Sequence, residues 1–283
     1  MKRGAAILGM GRSGTSMTAN AFAAAGYFPG DQQDLIPADS LNRRGYYENR
    51  GIVEANDRLL RSLGRYWFAP PTADELAHAH LPMLQDVTRA WDLLLVEASG
   101  MPVVVKDPRI GILLPVWHDI ISANLEVVLV VRHPVEVAWS VRAGAQVPVQ
   151  CALAAWELHM KLLLRAFGGQ TVTVLPYRHV LERPQLSVEI VQAVTSRLLP
   201  EQQRIVDSRA AEQAVDDSLR HNRAPADGER SALTRTQENL WTFLGGLPAG
   251  TQLLSSYTDV DDESATEIVQ YWAHSNDMIE QLS

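Results

Sequence analysis

Short apolar runs alternate with longer segments whose apolar residues recur at helical spacing along the first two thirds of the chain. The short runs are rich in β-branched residues or end at glycine or a basic residue, which predicts buried strands. They lie at residues 5–8, 102–105, 126–131 and 171–175. The longer segments predict helices at residues 15–25, 52–63, 82–99, 133–142 and 149–167. This alternation indicates an α/β fold, with a central, mostly parallel sheet flanked by helices on both faces.

The chain from about residue 182 onward is mostly helical in pattern and contains a polar loop at residues 224–228. It shows no internal repeat and no low-complexity segment. A length of 283 residues suits one large α/β domain. We therefore expect a single domain over residues 1–283, with its core at about residues 4–180 and a mostly helical part at residues 182–283.

Composition restricts the partners that the protein can have. The formal net charge is −8 at pH 7, with 46% hydrophobic and 20% charged residues. This balance is ordinary for a soluble globular protein, and it lacks the basic excess that non-specific binding to nucleic acid or anionic membranes requires. The single cysteine, Cys151, favours a reducing compartment, and no apolar run approaches the roughly 20 residues of a membrane span. We expect a cytoplasmic protein with no nucleic-acid partner and no membrane span.

A glycine-rich turn follows the first predicted strand and leads into the first predicted helix. Residues 9–16, GMGRSGTS, nearly match the phosphate-loop pattern G-x-x-x-x-G-K-[S/T], but Thr15 stands where the lysine belongs. Loops of this kind bind oxyanions because backbone N–H groups converge at the positive end of a helix dipole. Thr15 is too short to replace the lysine and carries no charge. We therefore expect a smaller phosphate group, held by the hydroxyls of Thr15 and Ser16 and by the cation Arg12.

Two further predicted strands end in a basic residue, Lys106 and Arg132. Ligands of parallel α/β sheets bind at the carboxyl ends of the strands, so both side chains are candidates for binding an anion. Ser140 follows Arg132 by eight residues, which is about two turns along one face of the intervening helix. A guanidinium and a hydroxyl in these positions can share one phosphate.

Four stretches together resemble the sulfotransferases that use 3′-phosphoadenosine 5′-phosphosulfate (PAPS). The resemblance is to bacterial members with an arginine-bearing R-S-G-T loop, which are similar to tyrosylprotein and carbohydrate sulfotransferases. The stretches are GRSGTS at residues 11–16, VKDPR at 105–109, VRHPVEVAWS at 131–140, and NRRGYYEN at 42–49 continued by NDRLL at 56–60. They cover about residues 4–180, and the chain after residue 181 offers no acceptor element that resembles the family.

The resemblance implies a P-loop NTPase-like fold and transfer of a sulfuryl group from PAPS to a hydroxyl of a small-molecule, glycan or peptide acceptor. The product is then adenosine 3′,5′-bisphosphate, and no metal is required. The resemblance places Arg12 and Lys106 on the two sides of the transferring group, and Arg132 and Ser140 at the 3′-phosphate. The residues expected to bind the cofactor are Gly11, Arg12, Ser13, Gly14, Thr15, Ser16, Arg132, Ser140, Tyr177 and Arg220.

The acceptor hydroxyl needs a general base, and three carboxylates are candidates. Glu48 is the first choice because the resemblance places a carboxylate-bearing block in the polar loop before the second predicted helix. Glu54 and Asp57, in the first turns of that helix, are the alternatives, and we expect both near the bound acceptor. The spacing alone does not decide among the three.

Other interpretations stay open at this point. Arg109 is expected to assist the transfer or bind the acceptor, whereas a salt bridge with Asp107 is the structural alternative for both Arg109 and Lys106. A P-loop-type small-molecule kinase would need a loop lysine and a magnesium-binding acid, for which Asp107 is the obvious candidate. A non-catalytic nucleotide-binding protein with a decayed site is the remaining possibility.

Overall fold

A five-stranded sheet in the order β2-β1-β3-β4-β5 forms the centre of the structure. The computed structural model describes residues 2–40, 42–79, 81–198, 233–258 and 262–282. Strands β1 to β4 are parallel, and β5 pairs with β4 in the antiparallel sense. The strands are β1 (Gly4–Leu8), β2 (Val103–Val105), β3 (Leu125–Val131), β4 (Thr171–Pro176) and β5 (Gly250–Leu253).

The helices fall between and after these strands. Up to β3 they are α1 (Thr15–Ala24), a 3₁₀ turn at Gln32–Asp34, α2 (Arg50–Ser62), α3 (Ala73–Ala77), α4 (Leu81–Glu97), α5 (Pro108–Ile112) and α6 (Leu114–Asn124). The later helices are α7 (Pro134–Ala145), α8 (Val149–Phe167), α9 (Tyr177–Glu182), α10 (Gln185–Leu198), α11 (Arg235–Gly245) and α12 (Glu263–Leu282). Within the described ranges, none of these helices is both long and apolar enough to cross a membrane.

Both faces of the sheet are buried under helices. Side chains alternate along each strand, so Ala6 and Leu8 belong to the core on one face while Ala5 and Ile7 belong to the core on the other. The first core includes residues of α8, and the second includes residues of α1 and α10. Burying each large aliphatic side chain contributes about 1.5–3 kcal/mol, which stabilises the sheet from both sides. The predicted α/β fold with a mostly parallel, doubly covered sheet is confirmed.

The parallel register brings four strand ends to one edge of the sheet. Ala6 of β1 pairs with Val105 of β2, and Val131 of β3 pairs with Pro176 of β4. The connection after β1 runs to β2 on one side, and the connection after β3 runs to β4 on the other side. The boundary between β1 and β3 is therefore a topological switch point, where open α/β sheets bind ligands. The residues that follow the four strand ends are Gly9, Lys106, Arg132 and Tyr177.

Strand β5 is the one strand of this sheet that the sequence pattern did not predict. It lies in the part that was expected to be mostly helical, and its four residues, GTQL, show no clear apolar alternation because the strand is a half-exposed edge. Backbone pairing with β4 and a 3.1 Å hydrogen bond between the hydroxyls of Thr173 and Thr251 hold it in place. Its position is therefore set by tertiary contacts and not by its own sequence.

Candidate active site

A pocket of about 460 Å³ opens at the carboxyl edge of the sheet, between the glycine-rich loop and the segment before α2. It contains most of the residues that the sequence singled out. Those that line it are Gly11, Arg12, Gly14, Thr15, Ser16, Glu48, Lys106, Arg109, Arg132, Ser140 and Tyr177. Residues that lie more than 100 positions apart in the chain thus meet in one cavity, as the strand-end argument predicts.

The glycine-rich loop leads into the N-terminus of α1. No side chain caps this helix, whose N-cap residue is Gly14, so the N–H groups of its first turn lack intrahelical acceptors. Thr15 and Ser16 line the pocket at this point. Gly14 has a φ of 99°, and a Cβ there would lie 2.4 Å from the ring of Tyr177. Glycine is therefore required on both conformational and steric grounds, and the helix N-terminus is left open to an anion.

Arg12 connects this loop to helix α7. Its backbone is left-handed, with a φ of 71°, which is uncommon for a residue with a side chain. The Nε atom donates a 3.0 Å hydrogen bond to Ser140 Oγ, and the carbonyl oxygen accepts a 2.8 Å hydrogen bond from Arg132 Nη1. Burial is the main cause that lowers the pKa of Arg12, and nearby Arg132 lowers it further. Two cations are therefore held side by side, which favours an anionic ligand.

Arg132 is fixed from two sides. Its Nε atom donates a 2.8 Å hydrogen bond to Glu136 on the first turn of α7, and its guanidinium lies 4.4 Å from the centroid of the Tyr177 ring. The ring contact is a cation–π interaction, and the carboxylate keeps the buried charge paired. Arg132 and Ser140 both contact Arg12, so the expected pair and the loop belong to one cluster.

Lys106 and Glu48 form a buried ion pair at the other end of the pocket. Lys106 Nζ donates a hydrogen bond to Glu48 Oε1, and the two side chains are only 2% and 9% exposed. Burial raises the pKa of Glu48, an effect that the positive charge of Lys106 opposes. The pair places a cation and a candidate base in direct contact at the end of β2.

Arg109 is held by two carboxylates behind this pair. Its Nη1 lies 2.9 Å from Asp107 Oδ1, and its Nε lies 2.5 Å from Asp57 Oδ1. The salt bridge with Asp107 that was considered as an alternative therefore exists for Arg109, whereas Lys106 pairs with Glu48. Arg109 Nη1 also lies 3.9 Å from Glu48 Oε2, so its charge still acts on the candidate base.

Several predicted site residues lie elsewhere. Glu54 lines a separate pocket of about 360 Å³ and lies 4.0 Å from Arg58, because its position on α2 is turned away from the helix face that packs on the core. Glu54 is therefore not among the residues that line the pocket of Glu48 and Lys106, and its contact with the acceptor stays a prediction. Asp57 forms an ion pair with Arg109. Ser13 is buried within the loop, and its hydroxyl has no hydrogen-bond partner among the described residues. Arg220 lies outside the described residues.

Asn56 is a buried polar residue that the sequence reasoning did not assign. Its Nδ2 donates a 2.9 Å hydrogen bond to Asp107 Oδ2, and its Oδ1 accepts one of 2.9 Å from Trp117 Nε1. Asp107 also caps α5 by accepting from the backbone N–H of Arg109. The signal in the sequence is an asparagine on the apolar face of α2, between Ile52 and Leu59.

Two aromatic residues, Tyr46 and Trp67, also form part of the pocket wall. The Tyr46 hydroxyl donates a 2.8 Å hydrogen bond to Asp39, and burial, followed by this contact, raises the pKa of Tyr46 to about 12. Trp67 lies against the loop, since a Cβ on Gly11 would be 3.2 Å from its ring. The Tyr46 ring lies beside Lys106, whose Nζ is 5.7 Å from the ring centroid, and both rings line the pocket, so they are candidates for contacting an acceptor.

Comparison with known proteins returns neither a matching family model nor a matching curated protein. Two solved structures match at 15% sequence identity. One is a sulfotransferase domain from the curacin biosynthetic pathway, with a TM-score of 0.45, covering 88% of this chain and 99% of that chain. The other is a sulfotransferase domain from the Synechococcus PCC 7002 olefin synthase, with a TM-score of 0.39, covering 96% of each chain. Both are sulfotransferase domains, the family that the sequence motifs resemble.

Replacing Gly14 by alanine should destabilise the protein by about 2–4 kcal/mol, because the new methyl group meets the Tyr177 ring and the backbone stays left-handed. The measurement is the free energy of unfolding in urea. The matched control is Gly169→Ala, which has a φ of 79° and nothing within 4 Å of the new Cβ. It should cost only about 1 kcal/mol, and equal losses in the two variants would contradict the proposed packing of Tyr177.

Replacing Asn56 by leucine should cost about 2–4 kcal/mol of unfolding free energy, because Trp117 Nε1 and Asp107 Oδ2 each lose a buried partner. Denaturant unfolding measures the loss. The control is Asn124→Ala, which removes a local 2.9 Å hydrogen bond to the carbonyl of Ile120 and should cost less than about 1 kcal/mol. A small loss in Asn56→Leu would show that this buried link does not stabilise the fold.

Proposed function

We propose that the protein is a sulfotransferase that moves a sulfuryl group from PAPS to a hydroxyl of a small-molecule, glycan or peptide acceptor. The observation that carries the proposal is the joint occurrence, in one pocket, of two anion-binding elements and a carboxylate–lysine pair. The first anion-binding element is the open N-terminus of α1, and the second is the Arg132–Ser140 cluster. A donor with phosphates at two positions matches two such elements.

The donor binds along the loop and α7. The first-turn N–H groups of α1, with the hydroxyls of Thr15 and Ser16, hold the 5′-phosphosulfate at the positive end of the helix dipole. Arg132 and Ser140 hold the 3′-phosphate, and the Tyr177 ring keeps the Arg132 guanidinium in place. This assignment gives the loop a role that needs no lysine at position 15.

Arg12 serves the transferring group and is kept in position by α7. Its side chain crosses from the loop to Ser140, so the hydroxyl that contacts the 3′-phosphate also orients the cation at the 5′ end. One connected set of side chains thereby contacts both ends of the donor. Each preorganised cation at the reacting centre stabilises the transition state by about 3–4 kcal/mol.

The chemical step is an in-line displacement at sulfur. The acceptor oxygen forms a bond to sulfur while the bond from sulfur to the bridging oxygen of the donor breaks. The electron pair of that bond leaves with adenosine 3′,5′-bisphosphate, and the acceptor proton passes to Glu48. Arg12 and Lys106 stabilise the charge that develops on the bridging and equatorial oxygens.

Glu48 is the base that the geometry favours among the three candidates. It lines the pocket beside Lys106, whereas Glu54 faces another cavity and Asp57 is bound to Arg109. Burial raises its pKa toward the pH at which the enzyme would work, and a general base is most effective under that condition. The carboxylate nevertheless stays paired, because Lys106 and Arg109 are both close to it.

The kinase alternative is less well supported. Its magnesium-binding acid would be Asp107, but this carboxylate is buried and accepts hydrogen bonds from Asn56 and Arg109. It is also absent from the residues that line the pocket. Thr15 occupies the position at which a kinase loop would carry its lysine.

Adenosine 3′,5′-bisphosphate should raise the melting temperature of the protein in the presence of EDTA, because the binding cluster consists of side chains and backbone amides. Arg132→Gln should weaken this binding about 10- to 100-fold, since it removes a charge-assisted contact with the 3′-phosphate. Titration calorimetry measures the affinities. The control is Arg178→Gln, an exposed arginine on α9 that pairs with Glu182 and should leave binding unchanged. Stabilisation by ATP with magnesium and not by the bisphosphate would favour a kinase.

Transfer of labelled sulfate from PAPS to an acceptor found in metabolite extracts should depend on ionised Glu48. Because burial raises the pKa of Glu48 above its ordinary value of 4.5, kcat should fall with decreasing pH through this raised pKa. Glu48→Gln should lower kcat by about 100-fold or more and remove this acidic limb. Glu182→Gln is the surface control. Loss of turnover in Glu54→Gln in place of Glu48→Gln would overturn the assignment of the base.

A further inference from the structure

The buried contact between Lys106 and Glu48 occupies the groups that the proposed reaction requires. Lys106 Nζ donates to Glu48 Oε1 while both side chains are almost fully buried. In the transfer step, however, Lys106 must donate to the sulfuryl oxygens, and Glu48 must have a lone pair available for the acceptor proton. The contact with Lys106 lowers the proton affinity of Glu48, so separating the pair strengthens the base and makes the ammonium available to the sulfuryl oxygens.

We propose that Lys106 alternates between two partners: it holds Glu48 in the unloaded site and moves to the sulfuryl group when the sulfated donor binds, which frees Glu48 for the acceptor. This role rests on the proposed sulfotransferase function and adds to it a coupling between donor loading and release of the base. Glu48 can then accept the proton of the acceptor only when the donor is already bound.

The backbone around Lys106 is fixed, so the exchange needs only side-chain rotation. Lys106 directly follows β2. The next residue, Asp107, is held in place by hydrogen bonds from Asn56 and from the backbone N–H of Arg109. The loop that would hold the 5′ end of the donor is adjacent, because a Cβ on Gly11 would lie 3.5 Å from Pro108 Cγ. The flexible four-carbon stem of a lysine can rotate between neighbouring anions at such a site.

Glu48 is not left as an isolated buried charge when Lys106 moves. The charged and titratable groups that face it are Lys106, Arg109, Asp107 and Tyr46. Arg109 Nη1 remains 3.9 Å from Glu48 Oε2, but its charge is already shared with Asp57 and Asp107. The remaining attraction is weaker than that of Lys106. When Lys106 moves away, the proton affinity of the Glu48 carboxylate therefore rises. The remaining attraction to Arg109 still keeps the carboxylate in place.

The test compares two nucleotides that differ only in the sulfuryl group. Protein labelled with ¹³C at the glutamate carboxyl carbon is titrated by NMR unliganded, saturated with adenosine 3′,5′-bisphosphate, and saturated with PAPS, and Glu48→Gln assigns the signal. PAPS should raise the pKa of Glu48 by about one unit or more relative to the bisphosphate, because an opposite charge in contact has been withdrawn. An unchanged pKa with PAPS bound would overturn the exchange.

Lys106→Met provides the matched control for the direct effect of the donor's own charge. In this variant the pKa of Glu48 should already be raised without ligand, and the difference between PAPS and the bisphosphate should fall to less than half of the wild-type difference. An equal difference in both proteins would show that Lys106 does not mediate the effect. The wild-type comparison stands alone if the variant fails to fold. Failure of both nucleotides to bind would instead contradict the proposed function.

Discussion

The buried carboxylate of Asp107 is the group on which the geometry of the pocket depends. It accepts hydrogen bonds from Asn56 on α2, from the backbone of Arg109 at the start of α5, and from the Arg109 guanidinium. A carboxylate removed from water is tolerated only when such partners satisfy it. Because Asp107 follows Lys106 and Asn56 belongs to the helix that follows Glu48, these contacts fix the two ends of the proposed lysine–glutamate pair relative to each other.

Buried ion pairs contribute little net stability, since the cost of desolvating both charges offsets most of their attraction. We therefore interpret their presence around this pocket in terms of the proposed function. Lys106 with Glu48, Arg132 with Glu136, and Arg109 with Asp57 each keep a charge at the cavity without ligand. Under the proposed function, such pairs hold charges in position for the transition state and can exchange partners without leaving an uncompensated buried charge.

Much of the framework could be predicted because local patterns determine it. The apolar runs specify buried strands, and parallel strands necessarily place the loop, Lys106 and Arg132 at one edge. The choice between Glu48 and Glu54 could not be made this way, because it depends on where α2 begins and how the helix is rotated against the sheet. Strand β5 has no pattern of its own, and Asn56 is recognisable only as a polar residue on an apolar face.

Charge is divided unequally between the two sides of the pocket. Around the candidate base, the two cations Lys106 and Arg109 are matched by the three carboxylates Glu48, Asp57 and Asp107, a net charge of −1.

At the other side, Arg12 and Arg132 lie together beside the open end of α1, and Glu136 is the carboxylate paired with Arg132. Two neighbouring cations at a helix N-terminus repel each other, and an anion bound between them adds to the compensation that Asp39 gives Arg12. Under the proposed function, this asymmetry orients the polyanionic donor with its phosphates toward α1. It also disfavours a polyanionic acceptor beside the base.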